Sequence, residues 1–150
     1  MKRIKIFRGA LVTLLAATLL FAFSTRDKVP QKVKDAFEAK FPHAKSVKWE
    51  QEVKGEWEAE FKMQGIEFSA NFNEDGTWLE TEHELENGDL PKPVADRLNT
   101  DFSGFEIEEA EMVEREDGLF YEVELKKGKT ETKLLIDDNG KVVSSQEDKD

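Results

Sequence analysis

Trp57-Glu58-Ala59-Glu60-Phe61 is the stretch that decides the fold. Apolar and acidic residues alternate one by one, which is the period of a strand with one buried face. The alternation reaches Met63 and resumes at Phe68-Ser69-Ala70-Asn71-Phe72. It returns 64 positions later as Tyr121-Glu122-Val123-Glu124-Leu125, and Thr132, Leu134 and Ile136 continue it. The turns that follow also match: Phe72-Asn73-Glu74-Asp75-Gly76 and Ile136-Asp137-Asp138-Asn139-Gly140 lie 64 positions apart. Upstream, Val29-Pro30-Gln31-Lys32-Val33 answers Leu90-Pro91-Lys92-Pro93-Val94 at an offset of 61. Three matches in one order define an internal repeat. The drift in offset implies an insertion of about three residues in the second copy.

Each copy opens with a helix. Val29, Val33, Phe37 and Phe41 recur every fourth residue, as do Leu90, Val94, Leu98 and Phe102. That spacing gathers them on one stripe, with charged residues opposite. Pro30 and Pro91 suit a first helical turn. Pro42 ends the first helix near Phe41, and the second is predicted to end near Ser103-Gly104. Asp75-Gly76, Asp117-Gly118 and Asn139-Gly140 signal hairpins. The fold predicted is α+β: two tandem helix-plus-antiparallel-sheet repeats of up to four strands each, with the helices packed on one face of the sheet. The repeats span 25–88 and 89–150, joined by Asn87-Gly88-Asp89. A segment of about 60 residues is marginal alone, so the copies are expected to pack as one unit with interleaved cores.

Residues 1–24 read as a signal peptide. Lys2, Arg3, Lys5 and Arg8 precede the apolar run Ala10 to Phe23, and Ala22-Phe23-Ser24 offers small residues at cleavage positions. An uncleaved anchor would need about 20 apolar residues. No cysteine follows the cleavage positions, which excludes a lipoprotein anchor. The expected location is periplasmic or extracellular, with no membrane span after cleavage. Loss of the four basic residues moves the formal charge from −11 to −15. Such a chain repels nucleic acid and attracts basic partners or cations. The absence of cysteine rules out thiol chemistry and thiolate zinc sites.

Val29-Pro30, Ala36-Phe37 and Phe41-Pro42-x-Ala44-x-x-Val47-x-Trp49, followed by Trp57-Glu58-Ala59-Glu60-Phe61 and Asp75-Gly76-x-Trp78, resemble the PepSY-like family of secreted bacterial proteins. The resemblance covers essentially all of the chain after residue 24. It implies a β-lactamase-inhibitor-like arrangement of tandem helix-plus-sheet units and a role in binding or restraining a protein partner. The disulfides of such inhibitor proteins have no counterpart here.

Catalytic motifs are lacking. His43 and His83 have no second histidine at ligand spacing, and no serine sits in a nucleophile elbow. Carboxylates are many, but alternation places most of them toward water, where nothing raises their pKa. Asn71-x-Asn73-x-Asp75-Gly76 with Glu82 approximates a calcium loop. Its flanks read as strands, whereas an EF-hand needs helices, which favours a hairpin turn. Trp57 is in phase with the core; Trp49 and Trp78 fit core or surface equally. The reading is a non-enzymatic exported binding or inhibitor-like module without cofactor or metal. Its alternative is an acidic cation-binding or envelope-stress buffering protein. The candidate partner site is the wet sheet face, with Glu58 and Glu60 in one copy and Glu122 and Glu124 at the matching positions of the other, four carboxylates expected on neighbouring strands as one acidic patch. A basic protein or peptide is the expected ligand, and electrostatics would mainly set the encounter rate.

Overall fold

Val33 and Phe37 hold α1 (Gln31–Lys40) against the sheet, as Val94 and Leu98 hold α2 (Lys92–Asp101). Both helices follow a proline, Pro30 or Pro91, and both end on a phenylalanine whose N–H bonds back four residues: Phe41 to Phe37, Phe102 to Leu98. The computed structural model describes residues 28–51, 53–86 and 89–149. The expected signal segment and two of the three linking residues lie outside that range. Among the described residues no helix is long and apolar enough to cross a membrane.

The strands are β1 (Lys45–Glu50), β2 (Glu56–Met63), β3 (Ile66–Asn73), β4 (Trp78–Glu84), β5 (Glu106–Arg115), β6 (Gly118–Lys127), β7 (Thr130–Asp137) and β8 (Val142–Lys149). They form one eight-stranded sheet in sequence order, antiparallel at every pairing. Gln64-Gly65 turns β2 into β3 with both residues at positive φ (54° and 90°), the twist a two-residue hairpin needs. At Asp117-Gly118 the turn falls one residue earlier than expected: Arg115 pairs with Gly118, so Gly118 already belongs to β6.

Two hydrophobic clusters fill the fold. Val33, Phe37 and Phe41 pack with Trp57, Ala59, Phe61, Ala70 and Phe72. Val94 and Leu98 pack with Ala110, Tyr121, Val123, Leu125, Leu134 and Ile136. The expectation of interleaved cores is therefore corrected. The halves join instead by strand pairing, with Glu80 to Glu84 of β4 laddered against Arg115 to Glu111 of β5. Backbone hydrogen bonds make the junction, so neither cluster has to reach into the other.

Candidate functional site

The residues that alternate with the core build a second, polar side of the sheet. Register carries it across: Glu58 faces Asn71, Asn71 faces Glu80, and Glu80 faces Arg115. Glu82 faces Val113, Glu111 faces Glu122, and Glu122 faces Leu135. Arg115, Val113 and Glu111 alternate on β5, so this side is continuous from β2 to β7.

Two expectations about it need correction. Glu58 and Glu122 do not face open water: they are 5% and 4% exposed, while Glu60 and Glu124 are half-buried. Each lies on an inner strand, where side chains of both neighbouring strands cover it. Nor are the two pairs on neighbouring strands. β3, β4 and β5 separate β2 from β6, which is about 19 Å at the usual strand spacing. The intervening strands carry the buried carboxylates Glu80, Glu82 and Glu111. Sequence reasoning missed these three. Thr81-Glu82-His83-Glu84 has no apolar alternation to assign its faces, and a bulge between Ile107 and Glu109 shifts the phase of β5.

Cations neutralise part of the site. Arg115 Nε donates to Glu80 at 2.8 Å, and its guanidinium lies over Phe120. Lys133 Nζ pairs with Glu122 and, at 3.5 Å, with Glu124. Lys48 reaches Glu60 at 3.6 Å. Asn71 Nδ2 donates weakly to Glu80 at 3.4 Å.

Burial governs the remaining acids. Desolvation pushes Glu82 up to about 8, reinforced by the charges of Glu80, Glu111, Glu122 and Glu58. Desolvation raises Glu111 to about 7, with Glu122 and Glu109 adding to it and Lys133 opposing. Glu122 is raised by burial, held back by Lys133. Val113 (0% exposed) beside Glu82 and Leu135 (5%) beside Glu122 remove the water that would solvate a carboxylate.

The tryptophans and His83 lie apart from this side, whereas the calcium-loop-like segment contributes Asn71 and Glu82 to it. Trp57 and Trp49 join the α1 cluster. Trp78 packs against that cluster too, donates from Nε1 to Thr81 at 2.9 Å and stacks under Lys40 Nζ at 3.5 Å. His83 contacts the Phe68 ring, and burial lowers its pKa. The Asn71–Glu82 segment is the β3–β4 hairpin, with the Thr77 N–H bonded to Asp75 Oδ1 at the turn. Its strand flanks are those expected of a hairpin, and Glu82 lies within β4. Among the described residues no group of three or more histidine or acidic side chains is arranged to hold a metal ion.

Comparison with known proteins bears on the whole chain. A family model described as "Putative beta-lactamase-inhibitor-like, PepSY-like" matches residues 22–68 and 55–144. A DUF2874 family protein from Bacteroides ovatus superposes with a TM-score of 0.74 at 21% identity, covering 81% of this chain and 89% of that one. A BLIP-like protein from Bacteroides fragilis gives 0.72 at 23% identity, covering 81% and 88%. A DUF2874 family protein from Bacteroides uniformis gives 0.73 at 19% identity, covering 79% and 88%. At these identities the structures speak for the fold alone. No curated protein matches the chain. The family match extends over most of the length and agrees with the motifs at Phe41-Pro42 and Trp57 to Phe61; the chain belongs to the PepSY-like family.

Proposed function

We propose that this chain is a non-enzymatic exported module that binds a protein with a basic surface on the carboxylate side of its sheet. The observation that carries the reading is the polar side running from Glu58 to Glu124, whose acids on β2, β4, β5 and β6 are mostly buried among their neighbours. Acids gathered this way destabilise a sheet, and a basic partner would relieve the repulsion. The BLIP-like neighbour supports protein binding as the class of function. The layout proposed is two helix-plus-four-strand repeats, 25–88 and 89–150, with both helices on the side away from the acids. It is supported by the matching helix ends and by contacts of both helices with residues alternate to Glu58 and Glu122. Export by cleavage after Ser24 fits the basic start and apolar run.

The test is a crosslinking pull-down from bacterial envelope extract, followed by titration of the recovered partner. The titration compares the wild type with a variant carrying Glu→Gln at Glu58, Glu60, Glu122 and Glu124, at low and high salt. Weaker binding by the variant at low salt is expected, with steep loss for both proteins as salt rises. Equal affinities at low salt would remove this side from the account. The net charge of −11 favours one other reading, an acidic cation-binding or envelope-stress buffer. That reading predicts diffuse, salt-sensitive association in place of a discrete complex.

A further inference from the structure

Two of the buried acids on this side have a cation of their own: Glu80 has Arg115, and Glu122 has Lys133. Glu82 lies between them on β4 without one. It is 3% exposed, and its Oε1 is buried with no hydrogen-bond partner. No ion pair among the described residues involves Glu82 or Glu111. Glu111, the register partner of Glu84, stands two residues along β5 from Val113, the register partner of Glu82, so Glu82 and Glu111 are diagonal neighbours about 7 Å apart at the backbone. A buried acceptor without a donor is costly, and a donor that reached it would be stabilised there.

We propose that Glu82 and Glu111 together seat one guanidinium group, from an arginine of the docking partner, which donates to Glu82 Oε1 and to the Glu111 carboxylate. This rests on the carboxylate side being the docking surface, and it names the anchor of that surface. A guanidinium fits better than an ammonium. Its planar fork can serve two acceptors at once, and its weaker hydration lowers the cost of entering a site beside the buried Val113. The two nearby cations are already committed, Arg115 to Glu80 and Lys133 to Glu122 and Glu124. The acids nearest Glu82 are unbranched glutamates, whose rotamers can part to admit a planar group.

Binding is then linked to protons. Glu82 faces the carboxyls of Glu58, Glu80, Glu111 and Glu122, and Glu111 faces Glu84, Glu109, Glu122 and Glu124; among the described residues Arg115 pairs with Glu80, and Lys133 with Glu122 and Glu124. Burial holds Glu82 at about 8 and Glu111 at about 7, so the free protein keeps protons on them at neutral pH. An entering guanidinium favours the ionised acids and expels those protons. Affinity therefore rises with pH up to about 8 and levels off above it.

Calorimetry with an arginine–glycine repeat peptide capped at both ends, and with its citrulline counterpart, tests this. Titrations are run at low salt in two buffers of different ionisation enthalpy. The expected result is arginine-dependent binding that releases protons at neutral pH. Glu82→Gln should weaken binding by at least about tenfold and reduce the release, and Glu111→Gln should act in the same direction. Thermal melts establish that each variant is folded, and proton release by the wild type is read without any variant. Arginine binding without proton release overturns the seat. So does equal affinity of the wild type, Glu82→Gln and Glu111→Gln; if the four-site variant at Glu58, Glu60, Glu122 and Glu124 alone loses binding, the docking side stands without the seat. Failure of the wild type to bind the arginine peptide at low salt overturns the seat, while the pull-down titration still decides the docking side.

Discussion

The turn at Gly76 lies so close to the carbonyl oxygen of Lys32 that a Cβ at position 76 would stand 2.7 Å from it. Gly140 bears the same relation to the carbonyl of Pro93, and its own carbonyl accepts a hydrogen bond from Arg97 Nε at 2.8 Å. Each of these hairpins thus touches the first turns of its helix by backbone contact, with φ of 91° and 81° that glycine alone adopts without strain. Gly128 also has positive φ, but nothing lies within 4 Å of its Cβ position. Gly128→Ala should therefore cost about 1 kcal/mol. Gly76→Ala and Gly140→Ala should exceed it by roughly 1–3 kcal/mol, because the helix backbone has to give way. Urea denaturation of the three variants gives the comparison. Equal losses at all three positions would show that the close approach carries no weight.

Phe37 sits at the centre of the α1 cluster, with its ring 5.1 Å from Phe61 and 5.2 Å from Trp49. Leu98 is the corresponding residue of the α2 cluster. Phe37→Ala and Leu98→Ala should each lower stability by roughly 2–5 kcal/mol. The clusters share no residue, so the double variant should show nearly additive losses, within about 0.5 kcal/mol. A large coupling energy between the two sites would mean that the halves communicate through more than β4–β5 pairing.

The alternation from Trp57 to Phe61 and its echo from Tyr121 to Leu125 made the buried face readable, because period two assigns each side chain to a face without reference to its neighbours. Val33, Phe37, Val94 and Leu98 were readable for the same reason at helical period. What a single strand cannot reveal is its lateral company. Glu58 looks like a solvent-facing residue until Asn71 and the flanking strands cover it. Val113 and Leu135 are apolar on the acidic side, so the second half buries residues on both faces of the sheet. The Glu80–Arg115 pair joins residues 35 positions apart and depends on β4 meeting β5, which no local pattern encodes.

That pair makes its own prediction. Glu80 Oε2 lies 2.8 Å from Arg115 Nε, and the acid is nearly buried while the arginine is about a quarter exposed. Arg115→Ala leaves a buried carboxylate without its cation and should cost roughly 2–4 kcal/mol, discounted for the partial exposure of the arginine. Adding Glu80→Gln should recover part of the loss, since a neutral amide at that position needs no counter-charge. Thermal denaturation of the single and double variants is the measurement. A double variant less stable than Arg115→Ala alone would contradict charge burial as the cause.

The last prediction concerns pH. Glu82 and Glu111 are raised in the folded state to about 8 and about 7, from an ordinary value of 4.5. The folded chain therefore keeps protons that the unfolded chain gives up. Wherever the folded state binds more protons, stability falls as pH rises. The fall should begin near 4.5, be steepest between about 5.5 and 6.5, ease through neutrality as Glu111 ionises and level off above about 8. His83, lowered by burial, works against folding only on the acid side of its ordinary 6.5, so it limits stability at low pH and leaves the alkaline fall intact. The unfolding free energy should drop by on the order of 5 kcal/mol between about pH 5.5 and 8.5. Glu82→Gln carries the neutral form's shape without a titrating proton, so it should flatten the decline and be more stable than the wild type at the alkaline end. Chemical denaturation across this range, on both proteins, decides the matter. Stability that stays level or climbs between those two pH values would mean that Glu82 and Glu111 ionise at little cost, and that their burial exerts no strain on the sheet.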